Sequence, residues 1–211
     1  ADLRSVTSTA LRGLGTEQVA ALGSSQVAAL TTGQVKNLAT EQVAALGTQE
    51  VAALTSQQVA TLNSSQASAL VTQQVAALSS AQAMALTTQQ IRAFETADVR
   101  ALSSVDVAAL STAQIVALSS SQLAAMTTTQ VWSLTTDHVA ALLTSQLAGL
   151  STADIRALST DAIVAMTTQH IAALSSAQLM AFTTADIAAF SIRCRFSAPA
   201  SPRPTRQIRS A

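Results

Sequence analysis

Leu86-Thr87-Thr88-Gln89-Gln90-Ile91-Arg92-Ala93-Phe94 is the stretch on which the fold turns. Thr87 is placed to be an N-cap, and Gln90, three residues on, completes a capping box. Leu86 and Ile91 flank the pair as a hydrophobic staple, so the stretch reads as a helix start. The helix has room for about six residues, because Phe94 restarts the same order of side-chain types eight residues after Leu86.

Working outward, the same frame extends in both directions. From Leu14 to Phe190 the first position recurs every eight residues without an insertion, which gives 22 complete units. It holds 18 Leu, two Met (Met126, Met166) and three Phe (Phe94, Phe182, Phe190). Comparing units gives each position a physical task. Position two is Ser, Thr, Gly or Asn in 18 of 22 units, and position three is Ser or Thr in all of them. Position five is Gln in 14, position six is Val, Ile or Leu in 20, and position eight is Ala in 18. Positions four and seven vary freely. The unit is Leu-(Ser/Thr)-(Ser/Thr)-x-Gln-Val-x-Ala.

An array of such units predicts an all-α solenoid, a superhelix of very short helices, one per eight-residue repeat. A six-residue helix is unstable alone in water, so the helices must stack on their neighbours. Leu at one and Val or Ile at six then form inner ladders, the small residue at eight lets helices approach closely, and seven faces outward. Two rivals fail. In one continuous helix, eight residues turn the Leu by about 80° at each recurrence, so the apolar positions would spiral around the rod. In a β-solenoid the inner positions share parity, whereas one and six do not. The domain organisation read from this pattern is a degenerate cap over 1–13, the array over 14–190, and a basic Pro- and Arg-containing tail over 191–211, expected to be disordered.

Composition narrows the function classes. Residues 1–190 carry six basic and eleven acidic side chains, while the last 21 carry five Arg and no acid. A mildly acidic array lacks the clustered Lys and Arg that track phosphates, so no nucleic-acid partner is expected. One cysteine, Cys194, leaves no intramolecular disulfide and no Cys-based zinc cluster. No apolar run approaches the roughly 18 residues of a membrane span. The chain begins at Ala1 without a basic-then-apolar leader, so export is not legible at that end.

Chemistry is sparse. There is no glycine-rich phosphate loop and no metal-spaced cluster, so no enzyme activity, cofactor or small-molecule substrate is expected. His138 and His170 both stand at position five, four units apart. They are in principle placed to share a metal, but both replace Gln at a capping position, which is the simpler reading. Candidate interaction residues are the position-seven outliers Arg92, Arg100, Trp132 and Arg156, of which Trp132 is the one tryptophan. Asp98 with Arg100 and Asp154 with Arg156 recur in matching units and read as a solvated charged face.

The runs Leu86 to Gln90 and Leu134 to Leu142 resemble octapeptide arrays of large secreted bacterial proteins, often labelled adhesin-like or haem-utilisation-like; the likeness covers residues 6–190. It implies a bacterial, exported, structural or adhesive segment at the cell surface or outside the cell, with a protein or cell-surface partner. No haem ligand is carried over onto any residue. Gly15-Thr16-Glu17-Gln18-Val19-Ala20-Ala21-Leu22 is similar to the first helix of TAL-effector repeats, but that family's units are about four times longer and carry a base-reading loop that is absent here. The leading expectation is a solenoid spacer or stalk with an adhesive or protein-binding surface. A dedicated protein- or peptide-binding scaffold is the alternative if the position-seven outliers share a face. Ice or surface binding through Ser/Thr ladders is a further one, and requires free, flat hydroxyl rows at positions two and three.

Overall fold

A computed structural model of the chain describes residues 3–197, with side-chain environments for 3–190. Among the described residues there are twenty-three α-helices, a leading 3-10 turn at Leu3–Ser5, and no strand. From Ser8–Arg12 onward each repeat makes one helix, of four to six residues in every case but the last. The chain is an all-helical solenoid.

The local signals act where the sequence places them. In the helix Thr112–Ala117, the Ser111 hydroxyl accepts from the Gln114 N–H at 3.3 Å, and Gln114 Oε1 accepts from the Ser111 N–H at 2.7 Å. Two amide donors that a helix start leaves orphaned are thereby satisfied. At the other end, the Leu118 N–H bonds back to the Ile115 carbonyl at 3.2 Å and tightens the last turn. Leu118 (φ −62°, ψ 137°) and Ser119 (φ −68°, ψ 160°) are both extended, and this pair turns the chain into the next helix. No described residue has positive φ, so the corners need no glycine.

Packing follows a fixed stride. Each helix lies mainly against the helix three repeats on, as Thr88–Ala93 does against Thr112–Ala117. Hydrogen bonds from position five reach back four repeats, so one superhelical turn takes between three and four repeats. Position six is the most deeply buried: Val59, Val75, Ile91, Ile115 and Val139 are all 0% exposed. Position one forms the second ladder, with Leu62, Leu86, Phe94 and Met126 buried beside it in one continuous core. Position eight is mostly half-buried. At Gly149 the missing Cβ would lie 3.3 Å from the Ser120 Cβ of the turn before, which is why a small residue recurs there.

The glutamine ladder is what joins successive turns. Gln90 Oε1 accepts from the Thr87 N–H at 2.6 Å, while its Nε2 donates to the Val59 and Leu62 carbonyls, both at 2.7 Å. One amide therefore caps its own helix and sews it to the turn before. Gln66, Gln74, Gln82, Gln114, Gln122, Gln130 and Gln146 repeat both bonds, and all are buried. A capping box accepts Glu or Gln alike; the second bond needs an N–H, which explains why Gln dominates.

At the end of the array the expectation changes. The last helix runs Thr184–Ser197, so residues 191–197 are helical where an irregular tail was expected, and 198–211 lie outside the described residues.

Candidate interaction surface

Position seven points outward, as the motif requires, and Arg92, Arg100, Trp132 and Arg156 are all exposed. Arg100 lies on the helix Thr96–Ala101 and Trp132 on Thr128–Trp132, four repeats later. Gln130, two residues before the tryptophan, donates to the carbonyls of Val99 (2.9 Å) and Leu102 (2.7 Å), on either side of Arg100. The helix Thr152–Ala157, which carries Arg156, packs in turn on Thr128–Trp132. Trp132 and Arg156 thus stand on helices that pack directly on one another, and the Gln130 amide ties the Trp132 helix to the carbonyls around Arg100. Arg92 sits on Thr88–Ala93, one repeat before Arg100, and is carried round to a different side.

The Trp132 side chain is 66% exposed, so its indole is an open ridge beside the arginine-bearing helix Thr152–Ala157; the helix packed on its other side, Ser104–Ala109, carries no arginine. Such a ridge suits a partner that offers carboxylates and an apolar or cationic group for the ring. The acidic members of the two matching units do not share this surface. Asp98 and Asp154 are buried, which corrects the solvated placement given to them above. Asp98 accepts from the Glu95 N–H at 3.0 Å and from the Thr72 hydroxyl of the preceding turn at 3.0 Å. Asp154 accepts from the Ser151 N–H and hydroxyl at 2.9 and 2.6 Å. A carboxylate lacks the donor of Gln; the second oxygen of Asp98 takes a hydroxyl proton from the preceding turn instead, whereas both Asp154 bonds fall on one oxygen, Oδ2.

The two histidines follow the same logic. His138 Nδ1 accepts from the Thr135 N–H at 3.3 Å, and its Nε2 lies 2.7 Å from the Leu110 carbonyl, which places the ring proton on Nε2. His170 Nδ1 takes the matching bond from Thr167. Both rings are buried stand-ins for glutamine. Among the described residues no group of three His, Cys, Asp or Glu is placed to hold a metal, and no helix is long and apolar enough to cross a membrane.

Asp186, at position five of the last unit, is also buried. Burial alone would raise its pKa, but hydrogen bonds from the Thr183 hydroxyl, the Thr183 N–H and the Thr160 side chain outweigh it and hold the carboxyl below the ordinary aspartate value. The hydroxyls at position two turn toward the backbone of their own helix. Those of Thr87, Ser111 and Thr127 accept from the backbone N–H three residues on, so helix capping sets their direction.

A second feature was not legible in the motif. At the C-terminal end, Ile171, Leu179, Phe182, Ile187 and Phe190 line an apolar cavity of about 200 Å³, where Phe182 and Phe190 meet at a ring separation of 6.0 Å.

Comparison with curated proteins gives no match. The profile of the ALTTAQ repeat matches six stretches, residues 1–32, 32–64, 91–128, 99–136, 116–144 and 139–176, which together cover more than two-thirds of the chain. Read as Ala-Leu-Thr-Thr-Ala-Gln, that name runs from position eight through position five, across the corner, the N-cap and the bridging amide. Ala109-Leu110-Ser111-Thr112-Ala113-Gln114 differs from it in one residue. With its repeating unit matched along most of its length, the chain belongs to the ALTTAQ repeat family.

Proposed function

We propose that the array is a structural spacer or stalk with an adhesive, protein-binding surface, part of an exported bacterial protein, and that it carries out no catalysis. The observation that carries this reading is the buried glutamine ladder, which ties each turn to the last and leaves positions four and seven free to vary. A solenoid built this way yields extended surface at low sequence complexity. Export and adhesion rest on the resemblance to octapeptide arrays of secreted proteins.

The test is adhesion under flow. Beads coated with the chain are expected to be retained on host-cell or matrix-coated surfaces more than bare beads, and the triple substitution Arg100→Ala, Trp132→Ala, Arg156→Ala is expected to reduce retention while leaving circular dichroism unchanged. Retention no greater than that of bare beads removes the adhesive reading, and recovery of the native protein only from the cytoplasmic fraction removes export.

The exposed Trp132 beside the helix that carries Arg156 favours a second reading, a dedicated scaffold for one acidic protein segment. Saturable, stoichiometric binding reported by the fluorescence of Trp132 supports the scaffold over the stalk. Ice or surface binding gains no such support, because the position-two oxygens serve the backbone.

A further inference from the structure

The outward positions four and seven vary in residue type, yet their charges keep a register of their own. Position four is acidic only at Glu17, Glu41, Asp137 and Asp161, and all four are exposed. They lie 24 residues or a multiple of 24 apart, three repeats, which is the step from each helix to the one it packs on. At position seven the same step joins Arg12, Lys36, Met84, Trp132, Arg156 and Met180, all exposed, with Ala60 and Ala108 between them. The other position-seven sites carry charge only at Arg92 and Arg100.

Stacking turns both registers into columns. Ser8–Arg12 packs on Thr32–Lys36, and the contact recurs every three units through Ser80–Ala85 and Thr128–Trp132 to Thr152–Ala157. Thr16–Ala20 likewise packs on Thr40–Ala45, and Thr136–Ala141 on Thr160–Val164. The two columns flank one corner of the solenoid. An open cleft of about 630 Å³ there brings Arg12 and Lys36 together with Glu41, Asn63, Ser64 and Ser65. At another corner Ser68 and Gln73, positions seven and four of consecutive units, share a cleft in the same way. Position seven of one unit therefore flanks a corner with position four of the next, which sets Arg12 beside Glu17, Lys36 beside Glu41 and Arg156 beside Asp161. Among the described residues none of these six side chains makes an ion pair or a hydrogen bond.

We propose that this corner is where a second copy of the chain lies alongside the first, parallel and in register. A two-fold axis along the solenoid sets the cation column of each copy against the acid column of the other: Arg12 meets Glu17 of the second copy, Lys36 meets Glu41, and Arg156 meets Asp161. Sliding one copy by a single helix step leaves at most two of the three cations with a partner. Exposed ion pairs are weak one by one, so it is the set of them that fixes the register, while exposed Met84 and Trp132 add apolar area to the same strip. The contact is isologous and closes at two copies. It rests on the fold and not on the adhesive reading. Lys36 and Glu41 lie outside the residues on which adhesion is tested, so either can fail without the other.

Sedimentation equilibrium of the full chain at low ionic strength tests it. The expected mass is twice the 21.5 kDa monomer, falling back toward it as salt screens the pairs. Lys36→Glu with Arg156→Glu makes both columns acidic at two levels, and Glu41→Lys with Asp161→Lys makes both basic. Each double variant is expected to weaken dimerisation about tenfold or more, and an equimolar mixture to restore it as a one-to-one heterodimer. Arg92→Glu with Arg100→Glu changes the net charge equally but away from this corner, and is expected to dimerise like the native chain. Single changes read the register: Lys36→Glu should be rescued by Glu41→Lys and not by Asp161→Lys. If reversal alters the circular dichroism, Lys36→Ala with Arg156→Ala takes its place. A native chain that stays monomeric at every concentration overturns the proposal. So does dimerisation indifferent to the double variants, an equal loss in the Arg92 and Arg100 variant, a mixture that fails to pair, or rescue of Lys36→Glu by Asp161→Lys.

Discussion

At position five a single atom decides between cohesion and its loss. Replacing Gln90 by Glu keeps an oxygen for the Thr87 N–H but deletes the donor shared by Val59 and Leu62, and sets a carboxylate against two carbonyls. Stranding buried acceptors costs about 1–3 kcal/mol, and a buried charge adds to that. Gln90→Glu is therefore expected to lower the urea midpoint at neutral pH and to regain part of the loss in acid, where the protonated side chain again carries a donor. Equal losses at both pH values would show that the donor is not what matters. Asp186 predicts the opposite trend. Its carboxyl is held below the ordinary aspartate value, so its contribution is complete above that value and is lost as pH falls through the lower, folded one. The advantage in melting temperature of the native protein over Asp186→Asn should accordingly be present at neutral pH and narrow in strong acid. Half of the glutamine's role was legible in the sequence, because capping links residues three apart. The other half joins Gln90 to residues 28 and 31 positions earlier, a distance no eight-residue motif encodes. For the same reason Asp98 and Asp154 looked solvated beside their arginines when they are in fact buried.

Among elements, each helix owes its start to its cap and its closeness to its neighbours to a small residue. Ser111→Ala removes the oxygen that accepts from the Gln114 N–H and is expected to cost about 1 kcal/mol, read from chemical denaturation. Units that already carry Ala39 or Val71 at this position keep the returning bond from Gln42 or Gln74, so one missing cap is tolerated. Position eight offers a sharper contrast. Ala109 is half-buried, at the position where Gly149 meets the preceding turn, and Ala108 is exposed. Ala109→Leu should overpack that contact at roughly 1–3 kcal/mol, whereas Ala108→Leu should leave the melting temperature nearly unchanged. Losses of equal size at both positions would contradict the assignment of faces. Helix length and spacing were fully legible, since cap and staple are local signals. The run of the last helix to Ser197 was not, because Pro199, Pro202 and Pro204 placed the expected break too early.

For the whole molecule, size should scale with repeat number. Removing seven whole repeats takes away about two superhelical turns and, at the 8–10 Å typical of packed helices, about 16–20 Å of length. The maximum dimension from small-angle X-ray scattering should shorten by that amount while the cross-section stays fixed; a collapse of the cross-section would mean that the turns are not independent. The superhelical stride was beyond the sequence, because one unit specifies its inner face but not how many units close a turn.

The reach of the bridging amide also fixes the order in which the chain can acquire its structure. A glutamine finds its acceptors only when the chain between them, about four repeats, is already in place, so the first turn must pay the loop entropy of ordering this segment before any bridging bond forms. After that, each new repeat docks on a finished edge at constant sequence separation, however long the array becomes. Mean contact separation relative to length therefore falls as repeats are added, and assembly becomes a slow nucleation followed by zippering, one short helix at a time, as the chain leaves the ribosome.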